Sequence, residues 1–150
     1  MRTAATALLL FTGILPFPVH ATTAETEAFG QCLIGQTTGE DRLLLARWIT
    51  LAFASHPVVQ DVIAVDTGKL AETDVAMAEL VTALLTERCG AQARAAVAAE
   101  GDPSIAMQKA FEMLGAVASQ EVMQNPAAQE RINAFASHLD ASRLAATLAP

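Results

Sequence analysis

The stretch FGQCLIGQTTGEDRLLLARWITLAFASHP, residues 29–57, decides the fold class of this chain. Thr38, followed three residues later by Asp41, has the spacing of a capping box, in which two side chains begin a helix. Apolar side chains occupy nearly every face of the segment 39–56, as is typical of a helix in the middle of a bundle. Pro57 ends this helix, because the residue before a proline is displaced from helical geometry. The stretch therefore predicts a turn followed by a central helix.

The rest of the chain shows the same alternation of short breaks and helical patterns. Alanine is abundant, Tyr is missing, and β-branched residues rarely alternate with polar ones, so strand signals are almost absent. The predicted fold is all-α, a single-domain bundle of about six or seven helices over residues 22–150. The predicted helices cover about 23–34, 39–56, 57–65, 70–88, 92–99, 103–124 and 126–140.

Two of these helices carry specific expectations about caps and buried faces. Thr73 is expected to cap the helix at 70–88, with Val75 on its inward face. The last predicted helix has an apolar stripe that is expected to face the core, formed by Ile132, Phe135 and Leu139.

The first 21 residues have the pattern of an export signal. Arg2 supplies a positive charge, and the apolar run 4–15 has the length of a signal-peptide core. Cleavage is predicted near Ala21, which leaves residues 22–150 as the mature domain in the periplasm or the extracellular medium. An uncleaved membrane anchor is the alternative, although the run is shorter than the roughly 20 residues of a stable span.

Cys32 and Cys89 are the two cysteines of the chain. An even number of cysteines in an exported protein predicts a disulfide between them. A metal pair or a redox couple is the alternative. The sequence favours it less, because there is no Cys-x-x-Cys motif and two cysteines do not complete a tetrahedral ligand set.

The charge of the chain excludes some classes of partner. It has 16 acidic and 9 basic side chains, and removal of Arg2 with the signal leaves a net charge of −8. This charge argues against a protein that tracks nucleic-acid phosphates or docks on anionic lipid, because both need a basic face. A protein partner in the periplasm is compatible with this charge, whereas nucleic acid and membrane are not predicted partners.

Catalytic and metal-binding motifs are missing from the sequence. It contains no Gly-x-Ser-x-Gly, His-Glu-x-x-His, phosphate-binding glycine loop or calcium loop. His56 and His138 are the histidines of the mature chain. His138 is interpreted as part of an exposed polar stretch, and His56 as a helix-terminating residue, with a metal site shared with Asp61 and Asp66 as the less favoured alternative. We therefore predict no catalytic residues, no metal site and no cofactor, and the sequence does not indicate an enzyme.

Five residues of the second helix are the candidates for binding. Arg47 lies in an apolar segment beside Trp48, where a charge needs a partner. It either reaches outward to solvent or to an acid such as Glu40, or it lines a pocket that binds an anionic ligand. Glu40, Asp41 and Arg42 are either a solvated helix start or part of a surface that binds a partner.

The order of these features resembles a family of small exported bacterial proteins of unknown function. The resemblance lies in Cys32, the segment TTGEDRLLLARW at 37–48, the dipeptide HP at 56–57 and the distant Cys89. It implies that Cys32, Cys89, Arg42, Arg47 and Trp48 form a structural unit, and it implies no catalytic residue, ligand or partner.

Three functions follow as hypotheses from these features, of which a hydrolase that uses two paired carboxylates is the least supported. The first is a non-enzymatic protein-interaction module, such as an inhibitor, immunity-type protein, adaptor or chaperone. The second is a helical protein that binds a small molecule, with Arg47 facing an anionic ligand.

Overall fold

A computed structural model of the chain describes residues 22–149, and the predicted signal peptide and its cleavage site lie outside this range. Within it there are seven α-helices and no strand, which confirms the predicted all-α fold. The helices are α1 (Ala24–Gln36), α2 (Gly39–Ala54), α3 (Thr67–Ala83), α4 (Gly90–Glu100), α5 (Pro103–Met123), α6 (Pro126–Asn133) and α7 (Ala141–Leu148). Three shorter turns of helix connect them: Pro57–Val59, Leu84–Arg88 and Ala134–His138.

Side chains cap most of the helices. The predicted capping box of α2 is confirmed: the Asp41 amide donates to Thr38 Oγ1 at 3.1 Å, and the Thr38 amide donates to Asp41 Oδ2 at 2.9 Å. The prediction for α3 is wrong, because the helix begins earlier and its cap is Asp66. Thr73 is buried inside α3 and donates to the Lys69 carbonyl at 2.7 Å. Local pattern alone did not locate this helix start, because threonine also satisfies its hydroxyl within a helix.

The core is formed mainly by α1, α4 and α5, and it extends to Leu45 of α2 and to Met77 and Leu80 of α3. Phe29 and Leu33 of α1 are fully buried, and the Phe29 ring meets Phe111 of α5 edge to face with 6.5 Å between centroids. Gly30 lies against Met113, so that a side chain at position 30 would overlap the methionine. Alanines along the inner side of α5 allow its neighbours to approach closely: Ala106, Ala110 and Ala118.

The position of α2 differs from the prediction. It packs against α3 and α5, and only Leu45 and Ala54 of this helix are buried. Phe53 is 72% exposed, and Leu43 is also exposed. The prediction that α2 is central is wrong, because two neighbouring helices cannot cover a helix that is apolar on nearly every side. The central helix is α5, which packs on α1, α2 and α4.

The predicted pairing of the cysteines is confirmed. Cys32 of α1 and Cys89 at the start of α4 form a disulfide, with their Cα atoms 5.9 Å apart. Cys89 is fully buried. Next to it, Arg88 donates to the Gln36 carbonyl at 3.0 Å and to Asp41 at 3.2 Å. The disulfide and the arginine together hold the end of α1 and the start of α2 against the α3–α4 connection.

The chain divides into a packed body, residues 22–125, and a tail, residues 126–149. The predicted last helix, 126–140, is shorter than expected: α6 ends at Asn133, and a short turn of helix follows to His138. The helix α7, which begins at Ala141, was not predicted. The predicted inward residues of the helix 126–140 are exposed instead, and Phe135 is 58% exposed. Val75 of α3 is likewise exposed, by 61%, and was wrongly expected to face the core. In each case the periodicity identified an apolar side chain but not whether a neighbouring helix covers it.

None of the helices between residues 22 and 149 combines the length and the apolar character needed to cross a membrane.

Candidate functional site: an apolar groove between α2, α3 and α5

A groove with a cavity volume of about 700 Å³ opens between α2, α3 and α5. Its volume is within the range of roughly 300–1,000 Å³ that is usual for ligand sites. Its walls are apolar except for Asp74 and Gln108. The lining residues are Leu45, Trp48 and Ile49 from α2, Asp74, Met77, Ala78 and Val81 from α3, and Met107, Gln108, Phe111 and Gly115 from α5.

Helical spacing explains why these residues share one surface. On each helix the apolar lining positions lie three or four residues apart, which places them on one face. Met77 and Leu45 are buried at the floor, while Phe111 is half-buried because its ring also packs against Phe29 in the core. The groove is therefore continuous with the hydrophobic core and is not a separate surface depression.

Small residues keep the groove open. Gly115 lies in the middle of α5, and a Cβ atom added there would have no heavy atom within 4 Å. Ala78 stands on the opposite wall. A leucine at either position would project into the space, so the cavity exists because these side chains are small.

The rim of the groove is polar and acidic. Trp48 Nε1 donates to Asp74 Oδ1 at 2.9 Å, a bond that joins α2 to α3. On the α5 side, Gln108 Nε2 donates to Glu112 Oε1 at 2.9 Å. No lysine or arginine is among the lining residues. Because Trp48 is 37% exposed, its indole is one wall of the groove and meets any molecule that enters it.

Of the five predicted binding residues, Trp48 alone lines this groove. Arg42 forms an ion pair with Glu121 of α5 at 2.6 Å and donates to the Thr37 carbonyl at 2.7 Å. The hydrogen bond with Glu121 raises the pKa of Arg42, and the same bond lowers the pKa of Glu121. Asp41 bonds to Thr38 and Arg88. Arg42 and Asp41 therefore hold helices together.

Glu40 and Arg47 are exposed and lie outside the groove. Arg47 borders a separate shallow depression of about 380 Å³ between α2 and α3, together with Leu51, Lys69, Glu72 and Thr73. The charge at position 47 therefore points to the surface, as one of the two interpretations of the sequence expected.

Sequence reasoning missed most of the groove. The spacing of Met107 and Phe111 is typical of an apolar stripe on one helix, which by itself indicates core and not a groove. Gly115 is the feature of the sequence that could have indicated the groove. It lies four residues beyond Phe111 on the same helix face, where a glycine interrupts the row of apolar side chains.

A second polar cluster surrounds Glu100, whose side chain is only 6% exposed. Glu100 accepts hydrogen bonds from Lys109 Nζ at 3.0 Å, from Thr26 Oγ1 at 2.9 Å and from the Thr23 amide at 3.3 Å. The bond with Lys109 is the largest of the effects that lower the pKa of Glu100 to about 2. A carboxyl group that stays ionised at neutral pH cannot act there as a general acid, and Glu100 instead fixes the start of α1 to α4 and α5.

The described part of the chain contains no group of three or more His, Cys, Asp or Glu residues placed to hold a metal ion. Fold and site thus define a disulfide-linked α-helical bundle with an open apolar groove among three of its helices. No protein-family model, curated protein or solved structure matches the chain.

Proposed function

We propose that this protein is a non-enzymatic protein-interaction module whose groove binds an amphipathic helix of a partner. The observation that carries the proposal is the uncovered apolar groove between α2, α3 and α5, with its cavity of about 700 Å³. Apolar surface of this kind is stabilised when a partner removes it from water.

The shape and composition of the groove favour a helix as the ligand. Three helices wall it, and its lining residues span about two turns each of α3 and α5, so that a fourth helix would complete the packing. Met77 and Met107 supply flexible side chains that adapt to different partners. Grooves of this type bind the apolar face of an amphipathic helix through residues three or four positions apart.

The charge of the rim indicates the polar face of such a partner. Asp74 lines the groove, Glu112 stands beside it, and residues 22–125 carry 14 acidic but only 6 basic side chains. A helix with lysine or arginine flanking its apolar stripe would be steered toward this surface, while an acidic helix would be repelled.

The proposed location is the periplasm or the extracellular medium. A disulfide between Cys32 and Cys89 is typical of an oxidising compartment. The basic residue and apolar run within residues 1–21 supply the pattern of an export signal. Both features support an exported protein.

A small anionic ligand near Arg47 is the second candidate function. It is favoured by one observation: Arg47 and Lys69 border the same depression, which holds a single acid, Glu72. This candidate predicts that Arg47→Met keeps the fold and loses an anion that the unchanged protein binds. Isothermal titration calorimetry of both proteins with an aliphatic dicarboxylate tests this candidate. Equal heats of binding for the unchanged protein and Arg47→Met would refute it.

Trp48 provides a direct assay for the groove, because it is the single tryptophan of the chain. A synthetic amphipathic helix of leucine and lysine is titrated into the protein while the emission of Trp48 is recorded. We expect a blue shift on binding, since the peptide would shield the exposed indole from water. The same titration with a glutamate-for-lysine peptide should give weaker binding.

Two glycine variants separate groove binding from non-specific association. Gly115→Leu fills the groove, and it also replaces a mid-helix glycine by a better helix former. Gly35→Leu makes the same change at an exposed position of α1, away from the groove. We expect Gly115→Leu to weaken peptide binding at least about tenfold, about 1.4 kcal/mol, and Gly35→Leu to leave it unchanged. Equal affinity of the two variants would refute the proposal.

A further inference from the structure

The tail leaves apolar side chains without cover in the described chain. Within residues 22–149, α6 packs on α5 and on the turn that follows it, and α7 packs extensively on no other helix. Leu148 of α7 is 75% exposed, and the other large apolar residues of the tail are exposed as well: Ile132, Phe135, Leu139 and Leu144. The tail therefore ends in an unpartnered apolar surface.

The last helix has the pattern of a groove-binding segment. Leu144 and Leu148 are four residues apart and share one face of α7, with Arg143 next to Leu144 in sequence. Asp140 caps the helix by accepting from the Arg143 amide at 3.0 Å. A capped helix with one apolar face and a flanking base is the kind of ligand proposed above for the groove.

We infer that the groove of one copy of this chain takes α7 of a second copy, and that the exchange is reciprocal. This inference rests on the proposed function, because it names the helix that the groove takes. One interaction then covers both apolar surfaces that the single chain leaves open. The resulting dimer has two-fold symmetry, since each copy supplies one groove and one tail.

Charge favours the tail over the body as the contacting segment. Residues 126–149 carry two acidic and two basic side chains, whereas the body carries a large excess of acids. Two bodies would repel each other at close range, but a neutral tail does not. Arg143 would lie near the rim acids Asp74 and Glu112, which have opposite charge.

The connectivity favours a second copy over the tail of the same chain. The tail leaves the body after Asn125, just beyond the end of α5, while the groove is lined by α5 residues 107–115. The helix that follows, α6, makes its packing with α5 and makes no extensive contact with α2 or α3, which wall the groove. Tail and groove thus remain apart within one chain.

Sedimentation velocity of the purified protein and three variants tests the inference. Leu144→Glu combined with Leu148→Glu removes the apolar face of α7, and Gly115→Leu blocks the groove. A matched control, Val58→Glu with Val62→Glu, changes two exposed valines four residues apart that do not line the groove. We expect dimers for the unchanged protein and the valine variant, and a dissociation constant raised at least about tenfold for the other two.

The inference is overturned if the unchanged protein is a monomer. It is also overturned if the dissociation constant of the dimer is the same in the tail variant and in Gly115→Leu as in the unchanged protein. A second titration then locates the failure. A synthetic peptide of residues 134–149 is added to the tail variant, and the Trp48 emission is followed. If the peptide binds but the unchanged protein sediments as a monomer, exchange between two copies is refuted, while helix binding by the groove is supported. If neither this peptide nor the leucine–lysine helix binds, the proposed function fails too.

Discussion

Replacement of both Cys32 and Cys89 by alanine is expected to lower the free energy of unfolding by about 4–5 kcal/mol. The disulfide links positions 57 residues apart, across α1, α2 and α3. On the loop-entropy relation, a cross-link of this span restricts the unfolded chain by about 4 kcal/mol. Native domains are stable by only about 5–15 kcal/mol, so the loss would be a large fraction of the total.

The loss of the buried Cys89 sulfur adds a smaller destabilisation to that caused by the loss of the cross-link. Cys89 is fully buried, and alanine would leave a void the size of its sulfur atom, at a cost of about 1 kcal/mol. Cys32 is only half-buried and should add little. The reduced protein keeps both sulfur atoms, so a comparison of the reduced protein with the alanine variant isolates the void from the cross-link.

Urea unfolding, followed by far-ultraviolet circular dichroism and by Trp48 emission, measures these differences. Three samples are needed: the oxidised protein, the protein in dithiothreitol and the double alanine variant. We expect the reduced protein to have a lower midpoint and a steeper urea dependence, because its unfolded chain is less restricted and exposes more surface. A difference of less than about 1 kcal/mol between the oxidised and reduced proteins would refute the loop-entropy reasoning.

Three further predictions concern the body. Lys109 is the largest influence holding the pKa of Glu100 at about 2, below its ordinary 4.5. Ionised Glu100 therefore stabilises the fold above that ordinary value, and its contribution is lost as pH falls toward 2. Glu100→Gln should reduce the fall of the urea midpoint between pH 5 and pH 2, and an unchanged profile would exclude this role. Gly30→Leu should lower the unfolding free energy by about 1–3 kcal/mol, because its side chain would overlap a methionine of α5. Gly35→Leu is its control in thermal unfolding, because a Cβ atom added at Gly35 has no heavy atom within 4 Å, and equal losses would contradict the packing argument. Thr38→Ala should cost about 1 kcal/mol by removing the capping box of α2, and an unshifted melting temperature would contradict it.

Local features of the sequence predicted where α1, α2, α5 and α6 begin. Helix starts are set within one helical turn, so they are visible without the rest of the fold. Examples are the capping box at Thr38 and Asp41 and the Asp-Pro and Asn-Pro starts of α5 and α6. The cysteine pair was also predictable, because two cysteines allow a single pairing.

The tertiary structure decided which apolar faces are covered. Periodicity marked α2 and the tail as apolar, yet α5 became the central helix because its alanines let several helices approach at once. Trp48 was the one predicted binding residue that lines the groove. The missing side chain at Gly115 contributes to the groove only because α2 and α3 form its other walls.

The sequence by itself thus determined where α1, α2, α5 and α6 begin and which cysteines pair, since these depend on neighbours along the chain. The tertiary structure alone decided which helix is central, where the groove opens and which apolar residues of the tail stay uncovered. The reason is physical: the burial of a helix face depends on how many other helices pack against it, and the periodicity of one helix does not specify its neighbours.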